Sequence, residues 1–423
     1  MDLPVLTPAH AVWAVAAAAT AGVVLRPFRL PEAVWAVAGA LLLLALRLTS
    51  PQDALAAVLR GTDVYLFLAG MMLAAELARR EGLFDWIARY AVAHSRGSKA
   101  RLFVLVYLVG TAVTALLSND ATAVVLTPAV YAATRAARVE PLPYLLVCAF
   151  IANAASFVLP ISNPANLVVF GAGMPSLGQW IPLFLAPSIA SIVLTFAVLW
   201  ATQRRLVRGR LGAPPEAVPL SRGGLVAAVG LLLTAVAILT ASALDRPLGL
   251  PTAAAGVGAS LLVLLLKRES PVPLVRGVAW SVLPLVAGLF VLVDAVGRTG
   301  VLAWLVAQLD AAVAASPAGA AWASGLVVAF ATNVMNNLPA GLLAGSTVQA
   351  ADAPALVRAA VLIGVDLGPN LSVTGSLATI LWLLALRREG EHVGAWSFLK
   401  LGVLVTPPAL VGALAALVWL SPR

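Results

Sequence analysis

The sequence predicts an all-α polytopic membrane protein, built as two inverted repeats with about ten transmembrane helices and two re-entrant hairpins. Three observations predict it. Of 423 residues, 61% are hydrophobic and 11% are charged, against about 25% charged in an ordinary soluble domain. Mean hydropathy is +0.99, and about 258 apolar positions fill about ten to twelve spans of about 20 residues. Polar and helix-breaking residues interrupt four of the apolar runs, two in each half. Strand-like alternation with turns every ~10 residues, the mark of a membrane barrel, is absent. The composition excludes a disordered chain, a secreted disulfide scaffold and a nucleic-acid module.

Taken in order, apolar runs predict spans near 9–26, 32–49, 62–80, 143–171 and 179–202, then 224–243, 250–266, 280–297, 356–385 and 396–418. The first residues lack a basic n-region, so 9–26 reads as a retained helix and not as a cleaved signal. Residues 83–95 and 301–314 are short and amphipathic. Residues 101–134 and 318–350 are long, apolar and broken mid-way by polar residues, which predicts re-entrant hairpins. Residues 204–223, rich in Arg and Pro, form the linker between a first repeat, 1–203, and a second, 224–423.

The halves resemble each other at a constant offset of 218 residues: Glu76 pairs with Asp294, Arg80 with Arg298, Gly82 with Gly300, Trp86 with Trp304 and Asn119 with Asn337. Shared apolar composition does not align an acid, an Arg, a Gly and a Trp in register. Five full spans plus one hairpin per half make the repeats inverted, an arrangement of secondary transporters. With the 204–223 linker on the cytoplasmic side, 21 of the 27 Lys and Arg residues fall on inner loops and 6 outside, as the positive-inside rule requires. Basic residues flank 101–134 on both sides, which predicts a cytoplasm-facing hairpin. Its partner 318–350 then faces outward, and both termini lie outside.

Four polar clusters interrupt the apolar runs: Ser118-Asn119-Asp120 with Thr122, Ser162-Asn163-Pro164 with Asn166, Asn333 with Asn336-Asn337, and the stretch Asp366–Thr379 containing Thr374 and Ser376. Unwound backbone at membrane depth is tolerated only where it is buried or lines a wet cavity. The four breaks are therefore expected to meet around one midplane site. Ser118, Asn119, Thr122, Asn163, Asn166, Asn336, Asn337, Thr374, Ser376 and Thr379 are its candidate substrate-binding residues. Asp120 and Asp366 are the sharpest positions. A carboxylate at the helix centre costs about 2.5–3.5 kcal/mol to insert, so it must pair, take up a proton or bind a cation. Both are candidate proton carriers. Glu76 with Arg80 and Asp294 with Arg298 have the spacing of structural i,i+4 ion pairs. Cys148 is the one cysteine, which leaves no multi-thiolate metal site, and it reads as a packed apolar residue. No cofactor is implied, and no catalytic dyad or metal set suggests an enzyme.

At these residues the sequence resembles a known family. The run DLGPNLSVTGSLATILWL (366–383), with SNDATAVVLTP (118–128) and NNLPAGL (336–342), is similar to the ArsB-type arsenite/antimonite efflux permeases of the ion transporter superfamily. The chain departs at Ser372-Val373-Thr374, where that family tends to carry Thr-Pro-Ile. The resemblance implies proton-driven export of trivalent arsenic and antimony across a bacterial inner membrane, optionally with an ArsA-type ATPase. The chemistry fits. A single cysteine cannot trap trivalent arsenic as a tris-thiolate, whereas amides and hydroxyls can hold neutral As(OH)3 or Sb(OH)3 and release it. Sodium/proton exchange or sodium-coupled anion transport on the same scaffold is the alternative.

Overall fold

The structure is a computed structural model that describes residues 7–212 and 219–420. The middle of the expected linker and both extreme termini lie outside the described residues. The first half runs α1 (Pro8–Leu25), α2 (Glu32–Ala45), α3 (Pro51–Arg60), α4 (Thr62–Arg80), α5 (Leu83–His94), α6 (Lys99–Leu116), α7 (Asn119–Ala121), a π-helical turn (Thr122–Leu126), α8 (Thr127–Ala136), α9 (Leu142–Ala154), α10 (Pro164–Phe170) and α11 (Leu177–Gln203). The second runs α12 (Arg222–Ala243), α13 (Gly249–Lys267), α14 (Val272–Gly277), α15 (Val282–Val296), a π-helical turn (Gly297–Val301), α16 (Leu302–Ala315), α17 (Pro317–Met335), α18 (Asn337–Ala350), α19 (Ala355–Leu367), a 3-10 turn (Gly368–Leu371), α20 (Leu377–Arg388) and α21 (Ala395–Leu420). Taking α7, its π turn and α8 as one helical stretch, the order of elements is the same in both halves.

The protein is an all-α, multi-pass membrane protein. Among the described residues, eight helical stretches are long and apolar enough to cross a bilayer, nine if α3 and α4, bent by 49°, form one span. The sequence leads to about ten, and the difference has physical sources. Helix α2 has 14 residues, about 21 Å at 1.5 Å per residue, which is short of the ~30 Å hydrocarbon core. The runs 143–171 and 356–385 are each divided into two shorter helices. Conversely, α6 and α17, arms of the expected hairpins, pass on length and composition.

Two layers follow from the packing. In the first, α4 lies against α13 and α15 against α2, so the second helix of each half packs on the fourth helix of the other. Gly70 and Gly256 permit the first crossing. A Cβ at Gly70 would meet the carbonyl of Thr252, and one at Gly256 would meet that of Gly70. At Gly288, the counterpart of Gly70, a Cβ would come within 2.7 Å of the Ala36 backbone in α2. Small residues at such crossings let helices close to van der Waals contact where lipid supplies no hydrophobic drive. In the second layer α6 packs on α9, α17 on α19, α10 on α18, and α11 on α21.

One expected ion pair is corrected. Glu76 receives Arg79, at 2.7 and 2.6 Å, and not Arg80. Arg80 instead turns 3.8 Å from Glu269, the acid just beyond α13. Spacings of three and four are both neighbours on a helix face, so the external acid decides. The Asp294–Arg298 pair forms at 2.7 Å, and Asp294 also receives Arg60.

Candidate functional site

Each interrupted helix stops at residues that compete with the helical main chain for hydrogen bonds and favour caps. After α6, Ser118 is fully extended (φ 179°, ψ 164°), and its hydroxyl accepts the Ala121 N–H at 3.2 Å. Asn163 caps α10, accepting the Ala165 N–H at 3.0 Å, with Pro164 at the first helical position, where its missing N–H costs nothing. Ser376 caps α20 through the Thr379 N–H at 3.1 Å. Asn336 sits before α18 at φ 74°, ψ 156°, backbone space that side chains other than glycine rarely enter. Two bonds hold it there: its amide donates to the Thr374 carbonyl at 3.0 Å and accepts the Leu338 N–H at 3.3 Å.

The backbone groups freed by the breaks find partners inside the protein, as membrane depth demands. The Ala115 carbonyl accepts from the Ser162 hydroxyl (2.9 Å) and the Ala154 carbonyl from Ser191 (2.8 Å). The Phe157 carbonyl accepts from the Trp180 indole at 3.2 Å. Asn166 donates to the carbonyls of Ser156, Leu159 and Pro160. Asn333 donates to Gly368 (3.0 Å) and Asn370 to Phe150 (3.0 Å).

The same joint is made twice. The Asn119 N–H donates to the Ser162 carbonyl at 3.0 Å, and the Asn337 N–H donates to the Gly375 carbonyl at 2.8 Å. The breaks after α6 and α17 are thus each tied to the interrupted helix of their own half. Within the broken helices the offset between halves becomes 213: α9 pairs with α19, Asn163 with Ser376, Asn166 with Thr379, and Asn153 with Asp366.

All four breaks reach one small cavity of about 20 Å³, room for a single water. Its lining takes the first residues of four helical stretches: Asn119 and Asp120, Asn163 and Pro164, Asn337 and Leu338, Leu377 and Ala378. Helices α4 and α15 close it with Val64, Leu68, Val282 and Val286. Among these lining residues there is no Lys or Arg. The Asn337 Oδ1 is buried without a hydrogen-bond partner, a free acceptor at the cavity. The Asp120 carboxyl makes no hydrogen bond or ion pair among the described residues, while its backbone N–H donates to Asn119 Oδ1 at 2.9 Å. Asp366 is fully buried behind the lining. Its Oδ1 accepts from Asn163 Nδ2 at 2.7 Å, and its Oδ2 has no partner.

Of the residues singled out from sequence, Asn119, Asp120, Asn163 and Asn337 line the cavity, and Asp366 is one hydrogen bond behind it. Ser118, Asn166, Asn336 and Ser376 instead shape the breaks. Thr122 bonds Thr114 at 2.8 Å, and Thr374 contacts Ser372 at 3.3 Å. Thr379 bonds Ser376 at 2.9 Å and accepts from Asn153 at 3.4 Å. Cys148 is free and buried. The sequence reading missed Asn153, which also donates to Asn370 Oδ1 at 3.0 Å. The signal was present, because a 213-residue offset sets it opposite Asp366.

A second, larger cavity of about 1090 Å³ opens on the face where α10 and α18 end. Arg60, Arg246 and Arg298 lie on it with Asp63, Asp245 and Asp294, and Val64 borders both cavities. This vestibule adjoins the small chamber at Val64. Among the described residues no group of three or more His, Cys, Asp or Glu could hold a metal ion.

Broken helices meeting at a buried polar chamber, in an all-helical membrane-spanning chain, are the architecture of a membrane transporter. Comparison with known proteins agrees. A family model described as CitMHS, citrate transporter, matches residues 14–365. The arsenical pump membrane protein of Escherichia coli (strain K12) is 30% identical over 360 residues, covering 81% of this chain and 82% of that one. The 46 kDa membrane protein of Mycobacterium leprae (strain TN) is 24% identical over 409 residues, covering 89% and 91%. The crystal structure of the YdaH transporter of Alcanivorax borkumensis aligns with a TM-score of 0.56 over 88% of this chain and 89% of that one. At 14% identity that likeness is one of fold. The chain belongs to the CitMHS citrate-transporter family of membrane transporters.

Proposed function

We propose that this transporter exports arsenite and antimonite, as As(OH)3 and Sb(OH)3, from the bacterial cytoplasm across the inner membrane in exchange for protons. The observation that carries this reading is the chemistry of the 20 Å³ chamber. Its polar lining is three amides and one carboxyl, with the Asn337 acceptor unpaired and no cationic side chain. Such a lining suits a small neutral solute with hydroxyl donors. Asn119, Asn163 and Asn337 would hold the solute, with Ser118, Thr122, Asn166, Asn336, Thr374, Ser376 and Thr379 keeping the breaks in shape. Asp120 would carry the exchanged proton at the chamber, and Asp366 would stand behind it through Asn163. The arsenical pump relative at 30% identity supports the solute.

In this reading the halves are inverted repeats. The 204–223 linker is cytoplasmic, α6–α8 form the cytoplasm-facing hairpin, and α17–α18 the outward one. Two observations support that tracing. The Lys99 N–H donates to the Gly209 carbonyl (3.2 Å), the Leu211 N–H to the Gly97 carbonyl (2.9 Å) and the Gly212 N–H to the Ala137 carbonyl (3.2 Å), so both feet of the first hairpin sit beside the linker. Arg60, Arg246 and Arg298, assigned outside by charge, gather at one vestibule. The protein then rests with its chamber nearest the outside, and alternating access moves the broken-helix layer against the α2–α4–α13–α15 layer. An ArsA-type ATPase is an optional partner.

A second reading, sodium-coupled transport of a carboxylate anion, is favoured by the family description and by helix N-termini, whose partial positive charge attracts anions. The Asp120 carboxyl at the chamber and the absence of Arg or Lys in its lining oppose it. Everted membrane vesicles separate the two. Radiolabelled arsenite should accumulate when the vesicle interior is acid, without sodium. Accumulation of citrate on a sodium gradient, with no arsenite uptake, would select the second reading.

A further inference from the structure

The chamber is built from two unlike halves. Every polar group on it belongs to the helix breaks, whereas α4 and α15 contribute only Val64, Leu68, Val282 and Val286. The four are buried and related in pairs by the 218-residue offset, Val64 with Val282 and Leu68 with Val286. In each helix they are four apart and share a face. The wall on this side is thus one aliphatic patch made twice, while the break side mixes Asn119, Asp120, Asn163 and Asn337 with Pro164, Leu338, Leu377 and Ala378.

We propose that Val64, Leu68, Val282 and Val286 are the specificity-determining residues of the transporter. They set the size of the solute and exclude hydrated ions. An aliphatic wall offers no hydrogen bond to replace a hydration shell, so a charged solute that keeps its water meets a surface that will not take it. A neutral trihydroxide turns its hydroxyls to the break amides and leaves only its bulk to the wall. The solute's hydrogen bonds then all lie on one layer. That layer can carry it past α4 and α15 without breaking any of them, and the wall discriminates by fit alone. The chamber at rest has room for about one water, so a change of one methyl in the wall is large relative to the space. This inference rests on the metalloid reading above.

The test is a competition in everted vesicles, with arsenite and antimonite supplied together and their uptake measured by elemental mass spectrometry. Antimonite is the larger solute. Leu68→Ala and Val286→Ala should shift the antimonite-to-arsenite flux ratio upward by about threefold or more, since a single methylene in an apolar pocket discriminates about 10–200-fold. Val64→Ile and Val282→Ile should shift it downward. Opposite shifts from hollowing and filling cannot arise from a poorly folded variant. If the wild type carries both metalloids and the ratio is unchanged in all four variants, the wall is not the filter. If the wild type carries neither, the metalloid reading fails and this inference falls with it.

Discussion

Asp120 and Leu338 occupy equivalent places in the two halves, each at the second residue of its helix, α7 or α18, and each on the chamber. At this position the first half carries an acid and the second a leucine, while the second half's acid, Asp366, stands one hydrogen bond behind the chamber, so the proposed proton at the chamber itself falls to Asp120. Asp120→Asn keeps the shape and removes the exchangeable proton. Arsenite counterflow, which needs no net proton movement, should survive in proteoliposomes, while uptake driven by a pH gradient falls to background. Asp366→Asn should also lower gradient-driven uptake, because Asp366 holds Asn163 at 2.7 Å. Asn336 gives a stability prediction. At φ 74°, Asn336→Ala loses both side-chain bonds and keeps the backbone strain, whereas Asn336→Gly loses the bonds and relieves the strain. The alanine variant should be the less stable by about 1–3 kcal/mol, seen as the lower melting temperature in detergent.

At the scale of elements, the paired crossings of α4 on α13 and α15 on α2 fix the layer against which the broken helices stand. Gly70→Val and Gly288→Val each force a side chain into a neighbouring backbone, and overpacking of this kind costs about 1–3 kcal/mol. Both should reduce the folded fraction on size-exclusion chromatography. Gly258→Ala, where a Cβ meets nothing within 4 Å, should not. The breaks themselves are legible in sequence, because an Asn or Asp inside an apolar run has few reasons to be there. Asn119, Asn163 and Asn337 are found this way. The aliphatic wall is not, since Val64 or Val286 reads like any residue of an apolar span until the fold shows which face it presents. Asn153 escapes for another reason. The offset slips from 218 to 213 between hairpin and broken helix, so one constant register passes over its match with Asp366. The Glu76 pairing escapes because spacing alone cannot choose between Arg79 and Arg80 when Glu269 arrives from a distant element.

The whole molecule is asymmetric in its access although its element order is repeated. Val293 and its equivalent Ala75 are both half-buried against the apolar core, but Val293 also lies on the wall of the large vestibule, which Ala75 does not reach. In a Cys148→Ser background, Val293→Cys should react at rest with a membrane-impermeant thiol reagent added from outside. Ala75→Cys should be protected at rest and become reactive from the cytoplasmic side when arsenite is present. Labelling of Ala75→Cys at rest, at the rate of Val293→Cys, would mean that both faces are open together, which a carrier does not allow. In the proposed mechanism the four breaks form one proton-coupled site. Its most direct test is a paired measurement on Asp120→Asn in proteoliposomes: arsenite counterflow without a gradient, and arsenite accumulation against an imposed pH gradient. Retained counterflow with abolished accumulation is the expected result. Accumulation equal to that of the wild type, or loss of both activities from a correctly folded variant, would contradict it.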